Sequence, residues 1–150
     1  GILTLANSTV WNTTDYNGYR PNREVREQYR FFKPRSGPNV YEPKKEDWQV
    51  FSTLRELQAA TGQEAHSMEV DFDIFEKLSP PDPSRRYAVY HAMDLNFALK
   101  PGSKAVDAGV AIPTVNEDVA GRAPDLGAWE SGKPAPHYGP RWLTWEPFYR

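Results

Sequence analysis

The chain contains no cysteine, and only two methionines and three histidines occur among its 150 residues. The absence of cysteine excludes a disulfide-stabilised scaffold and a metal site built from thiolates. Long apolar runs are missing as well, since no stretch approaches the roughly 20 apolar residues that cross a bilayer. We therefore expect neither a disulfide framework nor a membrane span.

A large excess of one charge is also missing, because the net charge is −2 at pH 7. A dedicated nucleic-acid binder usually carries a basic excess, so we expect no nucleic-acid partner. The charge is nevertheless uneven along the chain. Residues 20–35 hold six basic and two acidic residues, whereas residues 46–82 hold two basic and nine acidic ones. The basic stretch predicts a surface that attracts anions.

Aromatic residues, proline and glycine are plentiful. The chain has 20 aromatic residues (five Trp, eight Tyr and seven Phe), 14 prolines and ten glycines. Aromatic side chains bury a large area each, which favours a packed structure, while proline and glycine favour turns and loops. We expect residues 1–150 to form a single unit with long irregular loops. The start at Gly1, without Met, is typical of an internal piece of a longer protein.

The clearest local signal predicts one short α-helix at about residues 53–61. Thr53 and Glu56 have the spacing of a capping box, in which each side chain accepts a hydrogen bond from the other residue's backbone amide. Leu54 and Leu57 supply an apolar stripe, and Gly62 favours the left-handed conformation that ends a helix.

Other segments favour strands. Met68–Phe75 alternates apolar and polar residues, which predicts a half-buried strand, and Tyr87–Leu99 indicates one or two further strands that end in residues 95–99. The stretch Asn22–Phe32 leaves two interpretations open. Its apolar residues have a helix-like spacing, but residues 28–33 also fit a strand.

Two glycine-punctuated stretches near the end carry a family resemblance. Residues 97–109 read FALKPGSKAVDAG and residues 120–130 read AGRAPDLGAWE. Both resemble the C-terminal end of secreted right-handed parallel β-helix proteins of the pectate-lyase-like group, and residues 48–67 are similar to the same group. The resemblance implies a mainly β fold, made of the C-terminal coils of a right-handed parallel β-helix, with residues 131–150 as an extended strap.

The same resemblance implies a bacterial protein that acts on carbohydrate and is secreted, periplasmic or displayed on the cell surface. The chain would be the C-terminal fragment of a polysaccharide lyase or glycoside hydrolase whose catalytic residues lie mainly upstream, so we predict no catalytic residue here. The alternative is a non-catalytic carbohydrate-binding or structural cap module of a surface protein. The expected partners are a polysaccharide, an acidic one being favoured by the basic stretch, and either the upstream part of the protein or a second copy at the open coil end.

The basic stretch supplies the candidate substrate-binding residues. Arginine side chains bind carboxylates with two parallel hydrogen bonds, and aromatic faces stack on sugar rings. The residues that combine these properties are Tyr16, Tyr19, Arg20, Arg23 and Arg26.

Two carboxylates in the glycine-punctuated turns have two interpretations. Asp107 and Asp125 could form the acid–base pair that glycoside hydrolysis requires. The favoured interpretation is structural, with each side chain binding backbone amides in its own turn and Arg122 bridging to one of them.

We predict no cofactor, with a calcium ion as the alternative, because calcium prefers clusters of oxygen ligands. The acidic cluster that raises this alternative comprises Glu64, His66, Glu69, Asp71 and Asp73, in which His66 is more simply a hydrogen-bonded turn residue.

Overall fold

A computed structural model of the chain describes residues 2–5, 12–32, 44–91 and 94–135. Within these ranges, short strands and one α-helix are joined by turns and irregular segments. The strands are β1 (Leu3–Leu5), β2 (Gly18–Tyr19), β3 (Tyr29–Phe32), β4 (Trp48–Phe51), β5 (Met68–Glu69), β6 (Phe75–Lys77) and β7 (Asn96–Leu99). The helix is α1 (Leu54–Thr61), and short 3-10 turns cover Lys45–Asp47 and Phe72–Ile74.

The described strands form three small sheets. In the largest, β3 lies between β1, which runs parallel to it, and β4, which runs antiparallel. Strands β2 and β5 form a parallel pair, and β6 and β7 form an antiparallel pair.

The prediction of a right-handed parallel β-helix is wrong. A β-helix requires successive parallel rungs that stack in one direction, whereas β3–β4 and β6–β7 are antiparallel and the sheets stay separate. Val106 and Leu126, within the stretches 97–109 and 120–130 that carry the resemblance, lie in a turn and a bend instead of in rungs. Two backbone hydrogen bonds join these turns, from Gly109 N to Pro124 O (2.7 Å) and from Leu126 N to Ala105 O (2.8 Å). The prediction of a partner at an open coil end therefore loses its structural basis.

The prediction of the helix is confirmed. Thr53 Oγ1 accepts a hydrogen bond from Glu56 N at 3.2 Å, and Glu56 Oε2 accepts one from Thr53 N at 3.2 Å. Gly62 ends the helix at φ 69°, a left-handed conformation that a residue without a Cβ adopts at little cost.

The helix and the largest sheet enclose one of two small cores. The first core is built on Tyr29, Leu54 and Leu57, which are almost fully buried. The second core is built on Ile74, Leu99 and Ala105. The helical interpretation of residues 22–32 is wrong, because the strand β3 places Tyr29 in the first core.

The strand predicted over Met68–Phe75 is interrupted. Its first two residues form β5, but Asp71 then accepts a hydrogen bond from its neighbour Phe72 N (2.8 Å) and begins a 3-10 turn. Short polar side chains compete with strand pairing through such local bonds. The turn leads into β6 and includes Phe72, which lines the groove described below.

Two other expectations concern the ends of the chain and the membrane. Most of the predicted strap lies outside the described residues, which end at residue 135. In the part of the chain that the structure describes, helices lack the length and apolar character that crossing a bilayer requires.

Candidate functional site

An open groove of about 420 Å³ lies where β2, the turn after β5 and residues 126–127 meet. Its lining is mainly apolar and aromatic, with one arginine and one carboxylate. The lining residues are Tyr16, Asn17, Gly18, Arg20, Val70, Asp71, Phe72, Ile74, Phe75, Leu126 and Gly127. A concave apolar surface with a few converging polar groups is the usual form of a ligand site.

Strand alternation decides which residues of the basic stretch reach the groove. Successive side chains of a strand point to opposite faces. Gly18 and Arg20 therefore line the groove, while Tyr19 points into the first core and meets the Tyr29 ring edge-on at 5.8 Å. Burial raises the pKa of the Tyr19 phenol, and the nearby Glu64 carboxylate raises it further. Tyr19 was a predicted binding residue, but the structure gives it a packing role.

Tyr16 lines the groove, and contacts with Asp15 and His66 hold it in place. Its backbone is in the left-handed region (φ 56°), and its amide donates to Asp15 Oδ1 at 2.9 Å. Its ring stacks on His66 with 4.8 Å between ring centroids. His66 is fixed in turn by Asp15, which accepts hydrogen bonds from the His66 amide (2.6 Å) and contacts its Nδ1 (2.7 Å). The expectation that His66 is a hydrogen-bonded turn residue is confirmed.

These contacts also change the acidity of Asp15. Partial burial alone would raise the pKa of its carboxyl group, but the hydrogen bonds from His66 and from the Tyr16 amide outweigh burial and lower it. The carboxylate form of Asp15 is therefore the form that holds Tyr16 and His66 in place.

Arg20 and Asp71 form the polar centre of the groove. Arg20 Nε donates to Asp71 Oδ1 at 2.7 Å, and the guanidinium lies 4.8 Å from the centre of the Phe72 ring. The hydrogen bonds from Arg20 and from the Phe72 amide lower the pKa of Asp71. A guanidinium has five N–H donors, so the bond through Nε leaves the donors on its two terminal nitrogens directed elsewhere. The result is a planar donor group that is fixed over an aromatic ring.

The other two predicted arginines lie outside the lining of the groove. Arg23 is exposed and is not a lining residue, although its positive charge adds a small part to the lowered pKa of Asp71. Arg26 is also exposed and is not among the lining residues. Of the five predicted binding residues, Tyr16 and Arg20 line the groove, whereas the other three do not. Arg23 adds positive charge near Asp71.

The carboxylates of the glycine-punctuated turns have structural roles, as we expected, but each binds an amide of the other turn. Asp107 Oδ1 accepts hydrogen bonds from the amides of Arg122 (2.7 Å) and Ala123 (3.2 Å). The Nε atom of Arg122 lies 3.8 Å from the other oxygen of Asp107, which is a weak bridge. Asp125 accepts from the amides of Asp107 (2.8 Å) and Ser131 (2.6 Å). These side chains replace strand pairing as the partners of the turn amides.

The acidic cluster considered for calcium is dispersed in the structure. Glu64 is fully buried and accepts hydrogen bonds from the side chains of Asn17 and Ser67. Glu69 Oε1 accepts from the Tyr29 hydroxyl at 3.1 Å, on the side of the first core. Within the described ranges, no three residues of the types His, Cys, Asp and Glu lie close enough together to hold a metal ion.

Two aromatic residues that line the groove, Phe72 and Phe75, were not among the predicted binding residues. The alternation of Met68–Phe75 had assigned Phe72 to an inward strand face. The signal that could have found Phe72 is Asp71, a short acidic residue whose side chain favours a turn over a continued strand.

Comparison of the chain with protein-family models, with curated proteins and with solved structures returns no match. The resemblance of residues 48–67 and 97–130 to the pectate-lyase-like group therefore stays a prediction, and the groove has to be interpreted from its own chemistry.

Proposed function

We propose that the chain is a carbohydrate-binding part of an exported carbohydrate-active protein, and that the groove at Arg20 binds a unit of an acidic polysaccharide. The observation that carries the proposal is the arginine over an aromatic ring, Arg20 above Phe72, in the lining of an open groove.

The chemistry of the groove suits a sugar that carries a carboxylate. The Arg20 guanidinium offers parallel N–H donors that match a carboxylate, and Arg23 adds positive charge near Asp71. The faces of aromatic side chains accept the apolar C–H face of a sugar ring, and Tyr16 and Phe72 provide such rings on the lining. Asp71 can accept hydrogen bonds from sugar hydroxyls while it fixes the arginine.

Binding without cleavage is the part of the carbohydrate function that these residues support best. Hydrolysis of a glycosidic bond uses two carboxyl groups that flank the bond. Asp107 and Asp125 are occupied by backbone amides, and Asp71 is paired with Arg20. In this proposal, catalysis belongs to other parts of the protein.

The test measures the affinity of the purified chain for polygalacturonate at low and high salt. We expect Arg20→Ala to weaken binding about tenfold at 0.05 M salt, because one charge-assisted bidentate contact is lost. The difference from the wild type should shrink at 0.5 M salt, since screening weakens the Arg20 contact in the wild type and the variant has no such contact to lose.

Arg26→Ala is the matched control, because it removes the same charge from the same basic stretch outside the groove. It should change the affinity less than about twofold, as expected for a distant exposed charge. Equal weakening by Arg20→Ala and Arg26→Ala would show that only the overall charge matters, and this result would refute the groove as the binding site.

A further inference from the structure

A second cleft of about 460 Å³ has Leu99 of the second core in its lining. Trp129 is its largest side chain and is half-buried. Its polar lining residues come from two segments of the chain. The polar lining residues are Glu76, Glu130, Ser131 and Lys133.

A series of aromatic contacts links this cleft to the groove. Phe75, which lines the groove, meets Phe97 edge-on with 6.1 Å between ring centroids. Phe97 meets Trp129 in the same way at 6.2 Å. Both contacts are near-perpendicular, which is a favoured geometry for aromatic pairs and fixes the plane of the Trp129 ring. The two clefts are therefore separated by one intervening aromatic side chain.

The polar groups of the second cleft differ from those of the groove. Glu130 is occupied, since its two carboxylate oxygens accept the amides of Ala120 and Asp125, each at 3.0 Å. Glu76 presents an exposed carboxylate. The Ser131 hydroxyl has no hydrogen-bond partner among the described residues, but its oxygen is buried and does not face a ligand in the cleft. Lys133 is engaged as well, since its ammonium donates to Asp118 O at 2.6 Å. A cleft with a tryptophan side chain and an exposed carboxylate suits the hydroxyls of an acidic sugar unit better than its carboxylate, which would point away from Glu76.

We infer that the Trp129 cleft is a second subsite for the same polysaccharide chain. In this subsite the face of the Trp129 ring contacts the sugar ring, and the polar lining groups contact the sugar hydroxyls. The inference depends on the proposed function, because it extends the site at Arg20 along the chain of the ligand. A two-subsite surface binds long oligomers more tightly than short ones, since the second contact is made without a second loss of translational freedom.

The test compares oligogalacturonides of two and eight units as probes of the purified chain. The wild type should bind the eight-unit oligomer at least about tenfold more tightly than the two-unit oligomer. Trp129→Ala should lower the affinity for the eight-unit oligomer about tenfold, as truncation of a central aromatic contact does. Trp129→Phe, which keeps a ring, should lower it less than about threefold.

Phe72→Ala separates the inference from the proposed function, because it changes only the groove and should weaken both oligomers. Weakening by Phe72→Ala together with wild-type affinity in Trp129→Ala would overturn the second subsite and leave the groove intact. No effect of Phe72→Ala, or no binding by the wild type, would overturn both.

A second variant keeps the inference testable if Trp129→Ala does not fold. Glu76→Gln removes the exposed carboxylate and keeps the shape of the side chain. We expect it to raise the affinity for the acidic eight-unit oligomer about threefold, because a like charge is removed from the subsite. Unchanged or lower affinity would place the oligomer away from Glu76 and would contradict the inference.

Discussion

The turn that holds Asp107 depends on the absence of a side chain at Gly121. A Cβ atom at Gly121 would lie 1.9 Å from Asp107 Oδ1, and its three nearest heavy atoms all belong to the Asp107 carboxyl group. Alanine at this position must therefore displace the carboxylate from the amides of Arg122 and Ala123.

The cost follows from those two hydrogen bonds. A hydrogen bond to a charged group contributes about 1.5–3 kcal/mol, and the partly exposed position of Asp107 favours the low end. Gly121→Ala should then lower the free energy of unfolding by about 3 kcal/mol. For a chain of 150 residues, this corresponds to a fall in melting temperature of about 6–12 °C. Urea denaturation followed by tryptophan fluorescence measures the first quantity.

A double-mutant cycle isolates the cause. In an Asp107→Ala background, Gly121→Ala should change the free energy of unfolding by less than about 1 kcal/mol, because the clashing group is gone. Gly102→Ala is the control, since Gly102 has φ 75° and open space around its Cβ position. It should cost about 1–2 kcal/mol from backbone strain alone, with or without Asp107. An equal cost of Gly121→Ala in both backgrounds would refute this explanation.

Three further predictions concern the helix, the core and acid stability. Thr53→Ala should lower the free energy of unfolding by about 1 kcal/mol through loss of the cap, and Thr53→Ser should restore most of it in urea denaturation. Leu57→Ala, at a fully buried position, should cost about 2–5 kcal/mol in the same assay. Val50→Ala, at a position 45% exposed, should cost less than about 0.5 kcal/mol, and equal costs would contradict the assignment of the first core. The pKa of Asp71 is lowered in the folded state from its usual value of 3.8. The contribution of Asp71 to the free energy of unfolding is therefore present above pH 3.8 and is lost as the pH falls through the pKa of the folded state. Asp71→Asn should therefore make the melting temperature fall less steeply below pH 3.8, and an unchanged slope would contradict the pairing with Arg20.

Sequence reasoning succeeded where a few neighbouring residues decide the structure. The helix was predictable because Thr53, Glu56 and Gly62 fix both of its ends through local hydrogen bonds and backbone preference. The structural role of Asp107 was also predictable, since a short carboxylate beside glycine readily binds turn amides, but its partners, the amides of Arg122 and Ala123, lie 15 and 16 residues later in the chain.

Reasoning from motifs failed at the level of the fold. The turns that contain Asp107 and Asp125 are compatible with the corners of a β-helix, but they do not require rungs between them. Once the carboxylates have satisfied the amides of these turns, no ladder of strand hydrogen bonds is needed there. The pairing of β3 with β4 depends on contacts between distant segments, which a short motif does not encode.

The candidate site was predictable only in part. The composition of residues 16–26 indicated aromatic and basic side chains, but the alternation along β2 decided that Arg20 faces the groove and Tyr19 faces the core. The partners of Arg20 come from Asp71 and Phe72, about fifty residues later in the chain, and only the paired strands β2 and β5 bring them together.

The most direct test of the site at Arg20 is a map of where an acidic sugar binds. Titration of isotope-labelled protein with tetragalacturonate, followed by backbone amide NMR, reports the residues whose surroundings change. We predict that the largest shift changes fall on residues 16–20, 70–75 and 126–127, which line the groove. Changes confined to other segments, such as residues 82–91 or 110–119, would contradict binding at the groove.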